Sequence, residues 1–147
     1  MKAVIQRVSS ASVSIDNKIY SQIGAGMLIL FCVEKGDDES SLSWFSNKIL
    51  NLRIFEDENG KMNKSIKDIN GEVLVVSQFT LASDCKKGTR PSFDRAEYPE
   101  RANFFYNKFV KLLNKEISVK TGEFGSHMCV ELVNDGPVTF VLTQNAE

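Results

Sequence analysis

Apolar and polar positions alternate along the first eight residues. Ala3, Ile5 and Arg7 fall on one face and Lys2, Val4, Gln6 and Val8 on the other, the period of a strand. Ser12 to Ile15 continue it, Asp16-Asn17 supplies a turn, and Lys18 to Ile23 predict a returning strand. Gly24-Ala25-Gly26 then leads into Met27 to Val33, a wholly apolar third strand, so this region reads as an antiparallel meander. The period now changes. Leu42, Phe45, Ile49 and Leu52 recur at steps of three and four behind the capping oxygens of Asp37, Asp38 and Ser40, predicting a helix from about Ser40 to Leu52. Glu56 to Gly60 ends in an Asn-Gly pair between Arg53–Phe55 and Met62, the signature of a small hairpin.

The stretch from Val73 to Leu81 organises the rest. Val73, Leu74, Val75 and Val76 form the short β-branched run of a strand buried on both faces. Ser77, Gln78 and Thr80 then put hydroxyl and amide groups at the end of an otherwise oily strand, while Phe79 and Leu81 remain available for packing. Buried without partners, such groups cost roughly 1 to 3 kcal/mol each, so either the fold or a ligand must satisfy them. A polar loop from Ala82 to Phe93 follows and carries Lys86, Lys87 and Arg90, either an anion-binding rim or a solvated loop. A second helix is predicted where Pro99 and Glu100 suit a helix start and Ala102, Phe105, Phe109 and Leu112 or Leu113 form a stripe; it is expected to end before Gly122. Met128 to Val133 and Val138 to Leu142 read as a last hairpin turning at Asn134-Asp135-Gly136-Pro137. Strands in runs with two separate helices predict an α+β fold, a mainly antiparallel sheet or partial β-barrel flanked by two helices.

The 147 residues fit one domain, 1–147, with 42% hydrophobic and 25% charged residues and no linker or repeat. A net charge of −1 lacks the global basic excess of a nucleic-acid coat, so any RNA contact must be local. The alternating N-terminus carries neither a membrane span nor a signal-peptide core, which predicts a cytoplasmic protein with no membrane partner. Three scattered cysteines and one histidine support neither a disulfide framework nor a zinc site.

Chemical candidates are few. His127 beside Ser126 suggests a hydrolase, but neighbours in a strand face opposite ways, and the pair reads better as a strand start than as a dyad. Cys85 adjoins Lys86 and Lys87 but has no histidine partner. The acidic residues cluster in turns, so paired carboxylates facing a pocket are not indicated. An enzyme built from this chain has to work with hydroxyls, amides and backbone N–H groups. Such a site can cleave an activated ester, since one backbone donor to a developing oxyanion is worth about 3 to 4 kcal/mol.

Three stretches in order, Ser77 to Leu81, Lys87 to Phe93 and Asn134 to Thr139, together with Val4 to Val8, resemble the D-aminoacyl-tRNA deacylases. The resemblance implies a homodimer, without metal or cofactor, that hydrolyses the ester between a D-amino acid, or glycine, and the 3′-terminal adenosine of tRNA. It implies that Gly136-Pro137 is cis and enters the other subunit's pocket to exclude L side chains, with Arg7 bracing it and Met128 in the substrate site. Catalytic groups are then drawn from Ser77, Gln78, Phe79 and Thr80, and tRNA contacts from Lys86, Lys87 and Arg90. Thr80 as nucleophile and activation of water by the terminal ribose hydroxyl both remain open, the second preferred because an unassisted threonine is a poor nucleophile. A non-catalytic RNA-binding module and a Thr80-dependent hydrolase of another ester are the alternatives.

Overall fold

A computed structural model describes residues 1–144. Its elements are β1 (Lys2–Ile15), β2 (Lys18–Ile23), β3 (Gly26–Cys32), α1 (Glu39–Asn51), β4 (Phe55–Glu56), β5 (Met62–Lys64), β6 (Glu72–Ser77), α2 (Pro99–Asn114), β7 (Ser118–Thr121) and β8 (Cys129–Thr143). A 3-10 turn at Phe79–Ala82 follows β6. The fold is α+β, with two helices against one face of a curled, mixed sheet.

The first three strands differ from the expected meander. β2 and β3 pair along one edge of β1 in one register from Lys2 to Val13, Ala11 opposite Ile23 and Val8 opposite Gly26, with a one-residue shift only beyond Val13, so they form one return arm interrupted at Gly24-Ala25. Left-handed backbone at Asp16 and Asn17 (φ 50° and 64°) makes the connecting two-residue turn, a conformation these two residue types tolerate. Gly26 is obligatory at the interruption, because a Cβ there would lie 1.7 Å from the Glu72 carbonyl oxygen of the adjoining strand.

The expected C-terminal hairpin is absent as well. β8 is one long strand, antiparallel to β1 from Ser14–Cys129 to Lys2–Thr143, and Asn134 to Val138 bulge out of it between the pairs Val8–Asn134 and Gln6–Thr139. Both halves of the tail therefore pair with β1 instead of each other. The Asn134 side chain closes the bulge, accepting from Val138 N–H at 2.8 Å and donating to its carbonyl at 3.2 Å.

Beyond β3 the sheet turns parallel, β3 to β6 to β7. β7 went unread because helix α2 stops at Asn114, and a strand of four residues carries too little alternation to announce itself. Ser21 Oγ of β2 donates to Thr121 O of β7 at 2.7 Å, and the sheet thereby curls toward a barrel. The central strands are covered on both faces. Met27, Ile29, Phe31, Val73 and Val75 pack under the helices, while Leu28, Leu74 and Val76 pack inside the curl against Val8, Ala11, Val13 and Ile23. Phe31 stacks on Phe109 at 4.2 Å and meets Phe45 edge-on at 6.1 Å, locking both helices to β3; emptying one such ring costs about 3 to 5 kcal/mol. Helix α1 starts where predicted, with Asp38 accepting from Ser41 N–H at 3.2 Å. Among the described residues no helix is long and apolar enough to cross a membrane.

Candidate active site at the end of the central strand

The last rung joining β6 to β3 is Gln78 N–H to Phe31 O at 2.8 Å. Past it β3 has ended, no neighbour remains for the chain to pair with, and the backbone tightens into the 3-10 turn, closed by Leu81 N–H to Gln78 O at 3.3 Å. Gln78 and Thr80 therefore stand on a turn, not on the strand that sequence reasoning extended to Leu81. The N–H groups of Phe79 and Thr80 are the two at the start of this turn that it cannot satisfy.

A cavity of about 640 Å³ opens beside it. Ser77, Gln78, Phe79 and Met128 line it together; Thr80, Arg7, Gly136, Pro137, Lys86, Lys87 and Arg90 do not. Its wall is largely aromatic, with Phe93, Tyr98, Tyr106 and Phe124 joined by the polar Lys35, Glu97 and His127. Phe79 is 56% exposed and meets Phe93 edge-on at 5.2 Å. Tyr106 donates its hydroxyl to Val75 O at 2.7 Å, and burial pushes its phenol far up, so it serves as a fixed neutral donor. The Cys32 thiol, also in the wall, is raised to about 11, first by burial and then by the nearby Glu34 carboxylate; it is a poor nucleophile at neutral pH.

Ser126 and His127 both reach the cavity, which sequence reasoning missed. They lie in the loop before β8 instead of in a strand, so the rule of alternating faces does not apply. They still form no dyad, since Ser126 Oγ donates to Glu123 Oε2 at 2.8 Å. Gly122 leaves room for the Met128 side chain: a Cβ there would stand 2.6 Å from Met128 Sδ, which would have to shift. Thr80 Oγ1 accepts a hydrogen bond from Gln78 Nε2 and faces no base.

The Gly136-Pro137 peptide is cis, and both residues are exposed at the crest of the β8 bulge. Beneath it lies Arg7, 6% exposed, whose Nε donates to Asp135 O and whose Nη1 donates to Ile54 O, both at 2.8 Å. Lys86, Lys87 and Arg90 are exposed on a loop pinned at its neck by paired backbone bonds between Asp84 and Ser92, 2.8 and 3.0 Å. Cys85 is on the same loop, exposed, 3.9 Å from Ser83 Oγ. Among the described residues no group of three or more His, Cys, Asp or Glu side chains could hold a metal ion.

Residues 4–143 match the family model described as D-Tyr-tRNA(Tyr) deacylase. The chain is 56% identical over 146 residues to the D-aminoacyl-tRNA deacylase of Persephonella marina, with 99% of each chain covered. It is 52% identical over 143 residues to the protein of that name from Clostridium acetobutylicum, covering 97% of this chain and 96% of the relative. A solved structure described as c-Myc DNA Unwinding Element Binding Protein superposes with a TM-score of 0.94 at 45% identity, covering 99% of this chain and all of that one. A probable eukaryotic D-amino acid tRNA deacylase superposes at 0.80 with 16% identity, covering 96% and 97%, a likeness of fold.

Proposed function

The chain belongs to the D-Tyr-tRNA(Tyr) deacylase family, and from that premise we propose that it hydrolyses D-aminoacyl-tRNA, releasing the free D-amino acid and tRNA. The observation that carries this reading is the 3-10 turn itself: its first two N–H groups find no acceptor within the turn, and Ser77, Gln78 and Phe79 beside them line an aromatic cavity that can take an activated ester. The terminal adenosine enters the cavity and the ester carbonyl faces the N–H groups of Phe79 and Thr80. Water adds to that carbonyl, the donors stabilise the oxyanion, and the bond to the ribose 3′ oxygen breaks as a proton passes to it. Each donor is worth about 3 to 4 kcal/mol in such a role. The adjacent 2′ hydroxyl of the substrate relays that proton, taking one from the attacking water as it gives its own to the departing 3′ oxygen. That assignment is supported by Thr80, whose Oγ1 is engaged by Gln78 Nε2 and has no base to activate it.

Chiral selection falls to Gly136-Pro137. In one chain this bulge does not line the cavity, so to gate a site it must act on another copy, which calls for a homodimer with sites at the subunit interface. A rigid main-chain obstacle excludes an L side chain where an apolar pocket would discriminate by only about 1 to 3 kcal/mol. The same obstacle leaves glycine unhindered, so glycyl-tRNA is a substrate too. Lys86, Lys87 and Arg90 meet acceptor-stem phosphates, and the reaction takes place in the cytoplasm, where charged tRNA is used. Incubation with D-tyrosyl-, L-tyrosyl- and glycyl-tRNA tests the reading. Release of D-tyrosine and glycine with L-tyrosyl-tRNA spared is expected, whereas an inert D ester, or equal turnover of both enantiomers, refutes it.

A further inference from the structure

The placement above sets the ester at the turn after β6 and assigns no contact to Lys35 and Tyr98 on the wall of the cavity. Lys35 and Tyr98 both line it, the Lys35 ammonium sits 4.9 Å above the Tyr98 ring, and Tyr98 is 69% exposed, the most exposed aromatic side chain among the large hydrophobics that reach the surface. An exposed aromatic ring at the rim of an apolar cavity offers a face on which a base can stack. Lys35 lies four residues beyond Phe31, the residue paired with Ser77, so at most about 14 Å of extended backbone separates it from the reacting end. A nucleotide next to the terminal one falls within that distance. The combination of an exposed aromatic face and a single cation is how single-stranded nucleic acid is held, the ring taking a base and the ammonium a phosphate.

We propose that Tyr98 and Lys35 form the seat of the nucleotide that precedes the terminal adenosine, Tyr98 stacking its base and Lys35 pairing with the phosphate that links the two. The proposal rests on the deacylase reading of the same cavity and extends it from the terminal nucleoside to the single-stranded end of the tRNA. It makes the pair a specificity device for an ester carried on a polynucleotide, as opposed to a free aminoacyl nucleoside. Both side chains can be removed with little effect on the fold. Tyr98 caps helix α2 through its backbone only, its carbonyl accepting from Ala102 N–H at 2.9 Å, and its own N–H goes to Glu97 Oε1 at 2.9 Å. Lys35 is exposed and is held in place by its backbone N–H, which donates to Arg95 O at 2.9 Å.

The test compares two substrates, D-tyrosyl-tRNA and D-tyrosyl-adenosine, with Tyr98→Ala and Lys35→Met. Loss of a base stack raises KM for the tRNA ester about five- to a hundredfold, while kcat/KM for the adenosine ester stays within about twofold of wild type. Lys35→Met also lowers the slope of log KM against log salt for the tRNA ester by about 0.7, the share of one phosphate on a single strand. Tyr98→Phe restores the tRNA KM. Equal losses on both esters, or no loss on either, overturn the proposal, as does failure of the phenylalanine to rescue. Wild-type protein inert toward both esters overturns the deacylase reading itself and the proposal with it, a result distinguishable because it needs no variant.

Discussion

Replacing Arg7 with methionine separates the support of the Gly136-Pro137 bulge from the chemistry at β6. Methionine nearly fills the volume and leaves no charge, so the change removes two hydrogen bonds, to Asp135 O and to Ile54 O, each 2.8 Å long. Hydrogen bonds to a charged donor are worth about 1.5 to 3 kcal/mol each. The ion pairs add little, because Glu56 at 3.9 Å is 58% exposed and Asp135 at 3.6 Å is 61% exposed, and pairs of this kind contribute at most about 1 kcal/mol. The expected loss of folding stability is therefore about 3 to 5 kcal/mol, most of it from the buried carbonyl of Ile54, which the apolar side chain leaves without a donor. A domain with about 5 to 15 kcal/mol in hand still folds at room temperature.

The functional expectation differs from the structural one. Freed from Asp135 O, the bulge loses its fixed position and can yield to an L side chain, so the ratio of D- to L-tyrosyl-tRNA turnover falls about tenfold or more while kcat on the D ester changes little. Urea unfolding followed by circular dichroism gives the first quantity, and competition between the two esters below the unfolding range gives the second. Arg7→Lys, able to reach one carbonyl but not both, falls between the two. A variant that loses the stability but keeps the wild-type enantiomer ratio would refute the reasoning and leave Arg7 as a support of the fold alone.

Neutralising Lys86 and Lys87 to glutamine weakens tRNA binding and flattens its salt dependence by about 0.7 to 0.9 log units per lost phosphate contact; an unchanged slope returns both to a solvated loop. Thr80→Ala retains deacylation within about tenfold, because the main-chain N–H groups survive it, whereas a loss of about a thousandfold with a trapped acyl-enzyme would restore Thr80 as nucleophile. Cys32 has a thiol pKa raised from 9.0 to about 11 in the fold, so its stabilising contribution is complete below pH 9 and disappears as pH rises through about 11. Chemical denaturation across that range shows a fall in wild type that Cys32→Ala lacks; identical profiles would contradict this.

How far the site could be read in the sequence depended on whether its residues share a segment. Ser77, Gln78 and Phe79 were legible because the apolar run Val73 to Val76 ends in them, and a polar group after such a run has to be accounted for locally. Lys35, Tyr98 and His127 were not, since each enters the cavity from a different connection and none has a pattern of its own. The bulge was misread for a related reason. Asn134-Asp135-Gly136-Pro137 has the chemistry of a hairpin turn, and only the pairing of both flanks with β1 makes it an excursion from one strand. Local turn chemistry is short-ranged, whereas the choice of pairing partner is settled by the length of β1, at the other end of the chain.

The 3-10 turn has a polarity that follows from its neighbours. Four carbonyls from Gln78 to Leu81 are engaged: Gln78 O accepts from Leu81 N–H at 3.3 Å, Thr80 O from Ser83 N–H at 3.1 Å, Leu81 O from Lys2 Nζ at 3.2 Å, and Phe79 O lies 3.6 Å from Cys32 Sγ, whose thiol it shares with Val33 O. Two of those donors come from β3 and β1, the rigid strands beneath, so the turn is held from its carbonyl side. What it has left to offer is the N–H groups of Phe79 and Thr80, and a group of unsatisfied N–H donors attracts an anion or a developing one. The same bracing removes the reorganisation that a flexible loop would have to undergo as charge develops on the substrate. A turn with its acceptors engaged and its donors free therefore suits a reaction in which negative charge builds on a carbonyl oxygen, and it needs no acid, base or metal of its own to do so.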